Sequence, residues 1–263
     1  MASNGAKKVL NNPDEVVYEM LDGFVQTNAG VVRLDGFPDV KVILRKNLDG
    51  SKVAVVAGGG SGHEPAFAGY VGEGMLSAAV CGDVFASPSV DAVLAAIRTT
   101  GPAGCLLIIM NYTGDRLNFG LAAERAKQEG FEVKMVVVGE DCAIAPSGGV
   151  TGRRGLAGTL LVQKVAGAAA EAGLSLDEVY EEAKRAAESV GTMGVALTVC
   201  TLPGQPTSDR LGPDQMELGL GIHGEPGAEK GPIRPCNEIV DAILTTITAK
   251  HDYLPLSKGK EVA

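Results

Sequence analysis

The sequence predicts an α/β fold, in which a sheet has helices on both faces and a second, smaller α/β lobe follows. Short apolar runs alternate with amphipathic stretches of helical length, and this order is typical of a mainly parallel sheet covered by helices. Glycine-rich loops follow some of these runs, as after residues 53–57. Ligands of such sheets bind outside the carboxyl ends of the strands, so these loops form the candidate site.

The first predicted helix has a sharp start, because Asn12 can cap it and Pro13 suits its first position. Later helices are predicted by apolar periodicity at 89–98, 117–129, 155–172, 175–189 and 237–248. Ser175 and Glu178 can form a capping box. Strands are predicted by apolar, largely β-branched runs at 31–34, 40–44, 53–57, 76–81, 105–110, 133–138, 195–201 and 216–221.

A soft domain boundary is predicted near Gly191, where the long helical stretch ends. We expect residues 1–190 to form the first lobe and residues 191–263 the second. The final residues, 256–263, resemble the polar lead-in that precedes an earlier strand. We therefore expect the second lobe to be incomplete at its carboxyl end, with an ordinary frayed tail as the alternative.

The composition excludes several classes of protein. A net charge of −9 disfavours a nucleic-acid or anionic membrane partner, since both are bound through basic surfaces. The five cysteines are odd in number and form no C-x-x-C motif, which favours a reducing compartment. No apolar stretch is long enough to cross a bilayer. We expect a cytoplasmic protein that binds a small, uncharged or cationic ligand.

Two of the three histidines lie in glycine-rich loops, His63 in GGGSGHEP (58–65) and His223 in GLGIHGEPG (219–227). Glycine lets the backbone approach a ligand closely. Histidine can exchange a proton near neutral pH or attack a carbonyl. The two loops therefore predict a small-molecule site, although His63 could instead cap the next element. His251 is expected to be a solvated surface residue.

Asp115 and the carboxylates near the histidines leave two alternatives open. Asp115 can be the N-cap of the helix at 117–129 or an acid/base partner of His63. A weaker alternative is a metal site with two histidines and one carboxylate. Its candidate carboxylates are Glu64, Asp83, Asp115 and Glu225.

No nucleotide site is predicted in the chain. A Walker A motif does not occur. The glycine fingerprint G-x-G-x-x-G occurs at 219–224, but Glu-Pro-Gly follows where a helix should begin. We interpret this match as a coincidence.

Four motifs together resemble the substrate-binding domain of the dihydroxyacetone kinase family. In chain order they are GGGSGHEP (58–65), NYTGDRLNF (111–119), GRRG (152–155) and GLGIHGEPG (219–227). Their order and spacing match the family, and the resemblance covers nearly the whole chain. Several stretches are most similar to the single-chain eukaryotic enzymes.

The resemblance implies a mechanism. His223 would attack the ketone carbon of dihydroxyacetone (glycerone) and hold it as a hemiaminal, while His63 and Asp115 bond and activate the terminal hydroxyl. Glyceraldehyde is a second expected substrate. The other implied substrate-binding residues are Gly60, Ser61, Gly62 and Met110.

Two departures from the family pattern change these expectations. The family commonly has lysine at the position of Met110, so we expect weakened or altered substrate binding rather than its loss. The family's helical ATP-binding domain is not matched, so ATP and Mg²⁺ are expected from a separate or missing domain. The chain is then inactive by itself. The resemblance also implies a homodimer, and a non-catalytic triose-binding or regulatory module is the alternative function.

Overall fold

A six-stranded sheet built from residues 31–138 forms the centre of the fold in this computed structural model. The structure describes residues 8–145, 152–250, 253, 254, 256, 259, 261 and 262, so the expectation for His251 lies outside the described residues. The strands are β1 (Val31–Arg33), β2 (Val42–Arg45), β3 (Ala54–Ser61), β4 (Ala78–Val84), β5 (Cys105–Met110) and β6 (Val133–Val138). Their order is β1-β2-β4-β3-β5-β6; β4, β3, β5 and β6 run parallel, and β1 and β2 are added in antiparallel pairs.

Helices cover both faces of this sheet, as predicted. They are α1 (Val16–Thr27), α2 (Val90–Thr100), α3 (Thr113–Gln128), α4 (Thr159–Glu171) and α5 (Leu176–Ala187). Asn12 caps a short 3₁₀ turn that leads into α1, because its side chain accepts from the Asp14 amide. The capping box of Ser175 and Glu178 is formed at the start of α5. Both helix-start predictions are therefore confirmed.

Side chains of β3 point alternately to the two faces of the sheet and so belong to two different core clusters. Ala54 and Val56 belong to the cluster that packs with α2 and α3, whereas Val55 and Ala57 belong to the cluster with α4 and α5. Successive side chains of a strand point to opposite faces of the sheet. A strand covered on both faces is apolar at every position, which explains the unbroken run at 53–57.

Substitution of Phe119 tests whether α3 packs on the sheet in the orientation described. Its side chain is fully buried, and Phe119→Ala is expected to lower the free energy of unfolding by about 3–5 kcal/mol through lost transfer energy and a residual cavity. Leu117 of the same helix is 65% exposed, so Leu117→Ala is expected to change it by less than about 0.5 kcal/mol. Urea unfolding measures both. Equal losses in the two variants would contradict the assigned orientation of α3.

Residues 195–232 contain a three-stranded antiparallel sheet in the order β7-β8-β9, and the division into two lobes stays a prediction. Its strands are β7 (Val195–Ala196), β8 (Gln215–Leu218) and β9 (Glu229–Pro232). Helix α6 (Cys236–Thr245) follows and continues into a π-helical turn, Thr246–Lys250. The sequence did not predict β9, because it is an exposed, polar edge strand without apolar alternation.

Several predicted bounds are wrong for local reasons. The strand at 195–201 ends at Ala196, since only Val195 and Ala196 pair with β8. The strand at 216–221 ends at Leu218, because Gly219 has a φ of +71° and turns the chain. No helix follows the glycine fingerprint; β9 does.

Two helices begin at other residues than predicted. Helix α3 starts at Thr113, so Asp115 lies in its first turn and is not its N-cap. Helix α4 starts at Thr159 rather than at 155, after a segment whose Leu156 amide donates to the buried carboxylate of Glu140 (2.8 Å).

Strand β3 extends through the first glycines of its loop. A Cβ at Gly58 would lie 2.1 Å from the Val80 carbonyl oxygen, so only glycine lets β3 and β4 pair this closely.

All five cysteines are free. In the part of the chain that the structure describes, no helix combines the length and apolar character needed to cross a bilayer.

Candidate functional site

The two glycine loops meet at their histidines. His63 Nε2 lies 3.1 Å from His223 Nε2, although 160 residues separate them. His63 follows the carboxyl end of β3, where ligands of parallel sheets bind. The structure thus brings together the two histidines that the sequence singled out.

Arg154 holds the His223 loop against the first lobe. Its guanidinium lies 2.6 Å from the Asp141 carboxylate, whose side chain is 2% exposed, and donates to the Gly219 carbonyl at 2.7 Å. Hydrogen bonds to charged groups are among the stronger ones in proteins. The GRRG motif therefore has a structural role, because it positions the loop that carries His223.

Glu225 sets the tautomer of His223. Glu225 Oε1 lies 2.9 Å from His223 Nδ1, and Oε2 accepts the backbone N–H of His223 at 2.9 Å. An ionised carboxylate only accepts hydrogen bonds, so Nδ1 carries the proton. In the neutral ring, His223 Nε2 then carries no proton and can accept the N–H of His63 Nε2.

Aromatic rings enclose the histidine pair. Phe85 stacks on His63 with centroids 4.8 Å apart and meets His223 edge-on at 5.2 Å. Tyr112 contacts His223 edge-on at 5.0 Å. Burial raises the pKa of the Tyr112 hydroxyl, which therefore stays neutral. These rings limit how far either imidazole can rotate.

Burial controls the charge of His63. It lowers the pKa of His63, and the neighbouring His223 lowers it further, so His63 is neutral near pH 7. Burial raises the pKa of Glu225, but hydrogen bonds from the His223 ring and from the backbone outweigh this and lower it overall. The site thus combines two imidazoles with an ionised carboxylate.

Asp115 lies in the first turn of α3 and is only 7% exposed. Burial raises its pKa, while a hydrogen bond from Ser87 and the proximity of His223 oppose the rise. Among the described residues, Asp115 Oδ1 has no hydrogen-bond partner. A buried carboxylate oxygen with a free lone pair can accept the proton of a substrate hydroxyl.

Gly60, Ser61 and Gly62 pack against the segment that carries Phe85. A Cβ at Gly60 would lie 2.7 Å from the Ala86 nitrogen, and Gly62 has a φ of +100°. Ser61 is buried, and its hydroxyl donates to the Gly82 carbonyl at 2.8 Å. These residues have a packing role beside His63, and their contact with substrate stays a prediction.

A cavity of about 300 Å³ adjoins the site. Met110, at the carboxyl end of β5, contributes to its wall. His63 also lines the cavity. Its capping alternative is wrong, because the next element is the 3₁₀ turn Ala68–Tyr70, whose N-cap residue is Phe67. Among the described residues, no group of three or more His, Cys, Asp or Glu could hold a metal ion.

Sequence reasoning missed the roles of Glu225 and Phe85. Glu225 was named only as a candidate metal ligand, although its place two residues after His223 could have indicated a ring partner. Phe85 gave no signal, because nothing in a single phenylalanine predicts its φ of 57° or its stacking on His63.

Comparison with known proteins identifies relatives. The family model of the Dak1 domain matches residues 22–263. A tomato (Solanum lycopersicum) protein named putative 3,4-dihydroxy-2-butanone kinase is 62% identical over 98% of this chain and 44% of its own length. The dihydroxyacetone-binding subunit DhaK of a PTS-dependent dihydroxyacetone kinase from Listeria innocua is 48% identical over 94% of this chain and 75% of its own.

Solved structures show the same fold. The native dihydroxyacetone kinase of Citrobacter freundii superposes with a TM-score of 0.89 at 46% identity, covering 95% of this chain and 46% of that one. Its complex with AMP-PNP and Mg²⁺ superposes with a TM-score of 0.88. The chain thus spans about half the length of the tomato and Citrobacter proteins.

Proposed function

Since the chain belongs to the Dak1 domain family, we propose that it is the part of a dihydroxyacetone kinase that holds the ketose during phosphorylation. The observation that carries this proposal is the hydrogen-bonded row Glu225–His223–His63, which leaves His223 Nε2 as an unprotonated nucleophile. The test is carbon NMR of carbonyl-labelled dihydroxyacetone mixed with the protein. A new tetrahedral carbon supports the proposal, and an unchanged ketone signal contradicts it.

The covalent step uses His223 Nε2. Its lone pair forms a bond to the ketone carbon, and the π electrons of the carbonyl move to the oxygen, which becomes an alkoxide. The alkoxide takes one proton from solvent, and the imidazolium returns its Nδ1 proton to solvent through Glu225, so that the step consumes no proton overall. The product is a neutral hemiaminal. This step selects for a carbonyl, so glycerol would not be held.

His63 would have to move when the ketose binds, because His63 Nε2 lies at hydrogen-bond distance from the nucleophilic nitrogen. In its new position the neutral ring can hydrogen-bond a substrate oxygen. Asp115 would accept the proton of the terminal hydroxyl as that oxygen attacks the phosphoryl group. The proposed product is dihydroxyacetone phosphate, and glyceraldehyde is a second proposed substrate.

We propose that the donor site lies outside this chain. The Citrobacter freundii enzyme is known in complex with AMP-PNP and Mg²⁺, and this chain covers 46% of it. ATP and Mg²⁺ are therefore proposed to come from a separate helical domain, as the family resemblance implies. The other proposed partner is a second copy of the chain in a homodimer. Without a donor domain the chain would act as a triose-binding module, which is the alternative function, and the cytoplasmic location stays a prediction.

Glu225 is proposed as a positioning residue. Glu225→Gln is expected to weaken the adduct with dihydroxyacetone about five- to tenfold, because a charge-assisted hydrogen bond to His223 Nδ1 becomes a neutral one. Nitrogen NMR of labelled histidine reports the tautomer and is expected to show a mixture in the variant. Glu238→Gln, on α6, is the control. An unchanged tautomer with unchanged adduct affinity would refute the role of Glu225.

A further inference from the structure

The cavity beside His63 is mainly apolar. Its wall includes Phe67, Met110, Leu156, Leu160 and Ile222. It connects to the histidine pair in two ways, since His63 lines it and Ile222 directly precedes His223. An occupant of the cavity would therefore lie next to the nucleophilic imidazole.

The side of the site that holds Asp115 is separate from the cavity. Asp115, Tyr112 and His223 do not line the cavity, whereas Glu64 does. A ketone held on His223 has two arms, and the arm with the reacting hydroxyl must reach Asp115. The cavity is thus available to the second arm.

The size and chemistry of the cavity do not suit a short polar arm. At about 300 Å³ it falls at the lower end of small-molecule sites, whereas dihydroxyacetone has only three carbons and three oxygens. A hydroxyl placed against Leu156, Leu160 and Ile222 would lose water without gaining a hydrogen bond. An alkyl chain would bury apolar surface there instead.

Besides His63, the wall contains three polar residues, Glu64, Tyr70 and Thr159. Thr159, at the start of α4, is 1% exposed, and its hydroxyl has no partner among the described residues. An occupant could therefore carry a polar atom near these residues, but most of its surface would contact carbon.

We propose that the cavity receives the second arm of the substrate and that this arm is an alkyl chain. The substrate class is then terminal hydroxyketones in which two or three carbons extend from the carbonyl opposite the reacting hydroxyl. The proposal rests on the proposed function, because His223 must hold the carbonyl carbon. Met110 determines this specificity, since the pairing of Met110 with Val138 on β6 fixes its position in the wall.

The test is a homologous series of carbonyl-labelled hydroxyketones: hydroxyacetone, 1-hydroxy-2-butanone and 1-hydroxy-2-pentanone. Their arms differ only in methylene groups, so adduct affinities from carbon NMR titration report burial of the arm. The whole chain is used, with dihydroxyacetone as the reference. Affinity is expected to rise about fourfold for each buried methylene, or more than tenfold across the series.

Met110→Lys and Met110→Gln test the specificity residue. In both, the gain along the series is expected to disappear, because a polar group then enters the wall. The affinity of each variant for dihydroxyacetone is measured alongside, and the gain is expressed relative to it. If the Met110→Lys variant does not fold, Met110→Gln still tests the role of Met110. Met193→Lys, at a half-buried methionine outside the cavity wall, is expected to keep the gain.

The outcomes separate the two proposals. A dihydroxyacetone adduct on His223 with no gain along the series, or a gain that survives both Met110 variants, overturns the cavity proposal and leaves the proposed function standing. Absence of any adduct overturns the proposed function, and the cavity proposal falls with it.

Discussion

His223→Ala is expected to abolish the tetrahedral carbon signal of labelled dihydroxyacetone completely. In the proposed function the hemiaminal bond forms only at His223 Nε2, whose lone pair is exposed by the Nδ1 contact with Glu225. Carbon NMR at saturating ketose measures the result directly.

The control for this variant is Thr198→Ala, which removes an exposed side chain of the same lobe. It is expected to leave the adduct signal unchanged. Circular dichroism checks that both variants are folded, and the half-buried position of His223 predicts little loss of stability. A tetrahedral carbon that persists in folded His223→Ala would place the covalent site elsewhere.

Asp115→Asn is expected to reduce phosphoryl transfer by about 10²–10⁴-fold while the adduct still forms. The amide keeps the shape of the side chain but cannot accept a proton. The substitution also removes a buried carboxylate whose pKa is raised by burial, so stability is not expected to fall on that account. In the proposed function, turnover requires a donor domain, so the chain is fused to the part of the Citrobacter freundii enzyme that it does not match.

The two readouts distinguish a proton acceptor from a structural residue. A role in proton transfer lowers turnover and leaves the adduct affinity nearly unchanged. Loss of both together would mean that Asp115 only shapes the site. The unfused chain with ATP and Mg²⁺ is the negative control, and turnover there would show that the chain holds its own donor site.

Periodicity in the sequence was sufficient for the elements of the first lobe. The strands at 105–110 and 133–138 have the predicted bounds, because both faces of the sheet are covered and every side chain must be apolar. The capping box at Ser175 was equally readable, since capping is a local interaction within four residues. Edge strand β9 could not be predicted, because it is polar and exposed and is recognisable only by its backbone pairing with β8.

The candidate site was predictable only in its parts. Motif composition identified His63, His223 and Asp115 as functional candidates, and the Dak1 match confirms the family that these motifs resemble. The start of α3 at Thr113 was not predictable from the sequence. Two interpretations of Asp115 therefore stayed open, an N-cap and an acid/base group. Its burial depends on β3 and Ser87, which are distant in sequence.

The sequence by itself determined the α/β class, most strand positions and the loops that carry chemistry, because these follow from local periodicity, turn residues and side-chain type. Only the tertiary structure decided that His63 and His223 touch, that Glu225 sets the tautomer and that an apolar cavity opens beside Met110. Those facts depend on how distant segments pack, and the pairing of Arg154 with Asp141 is one example. Contacts across 160 residues leave no periodic trace in a single sequence.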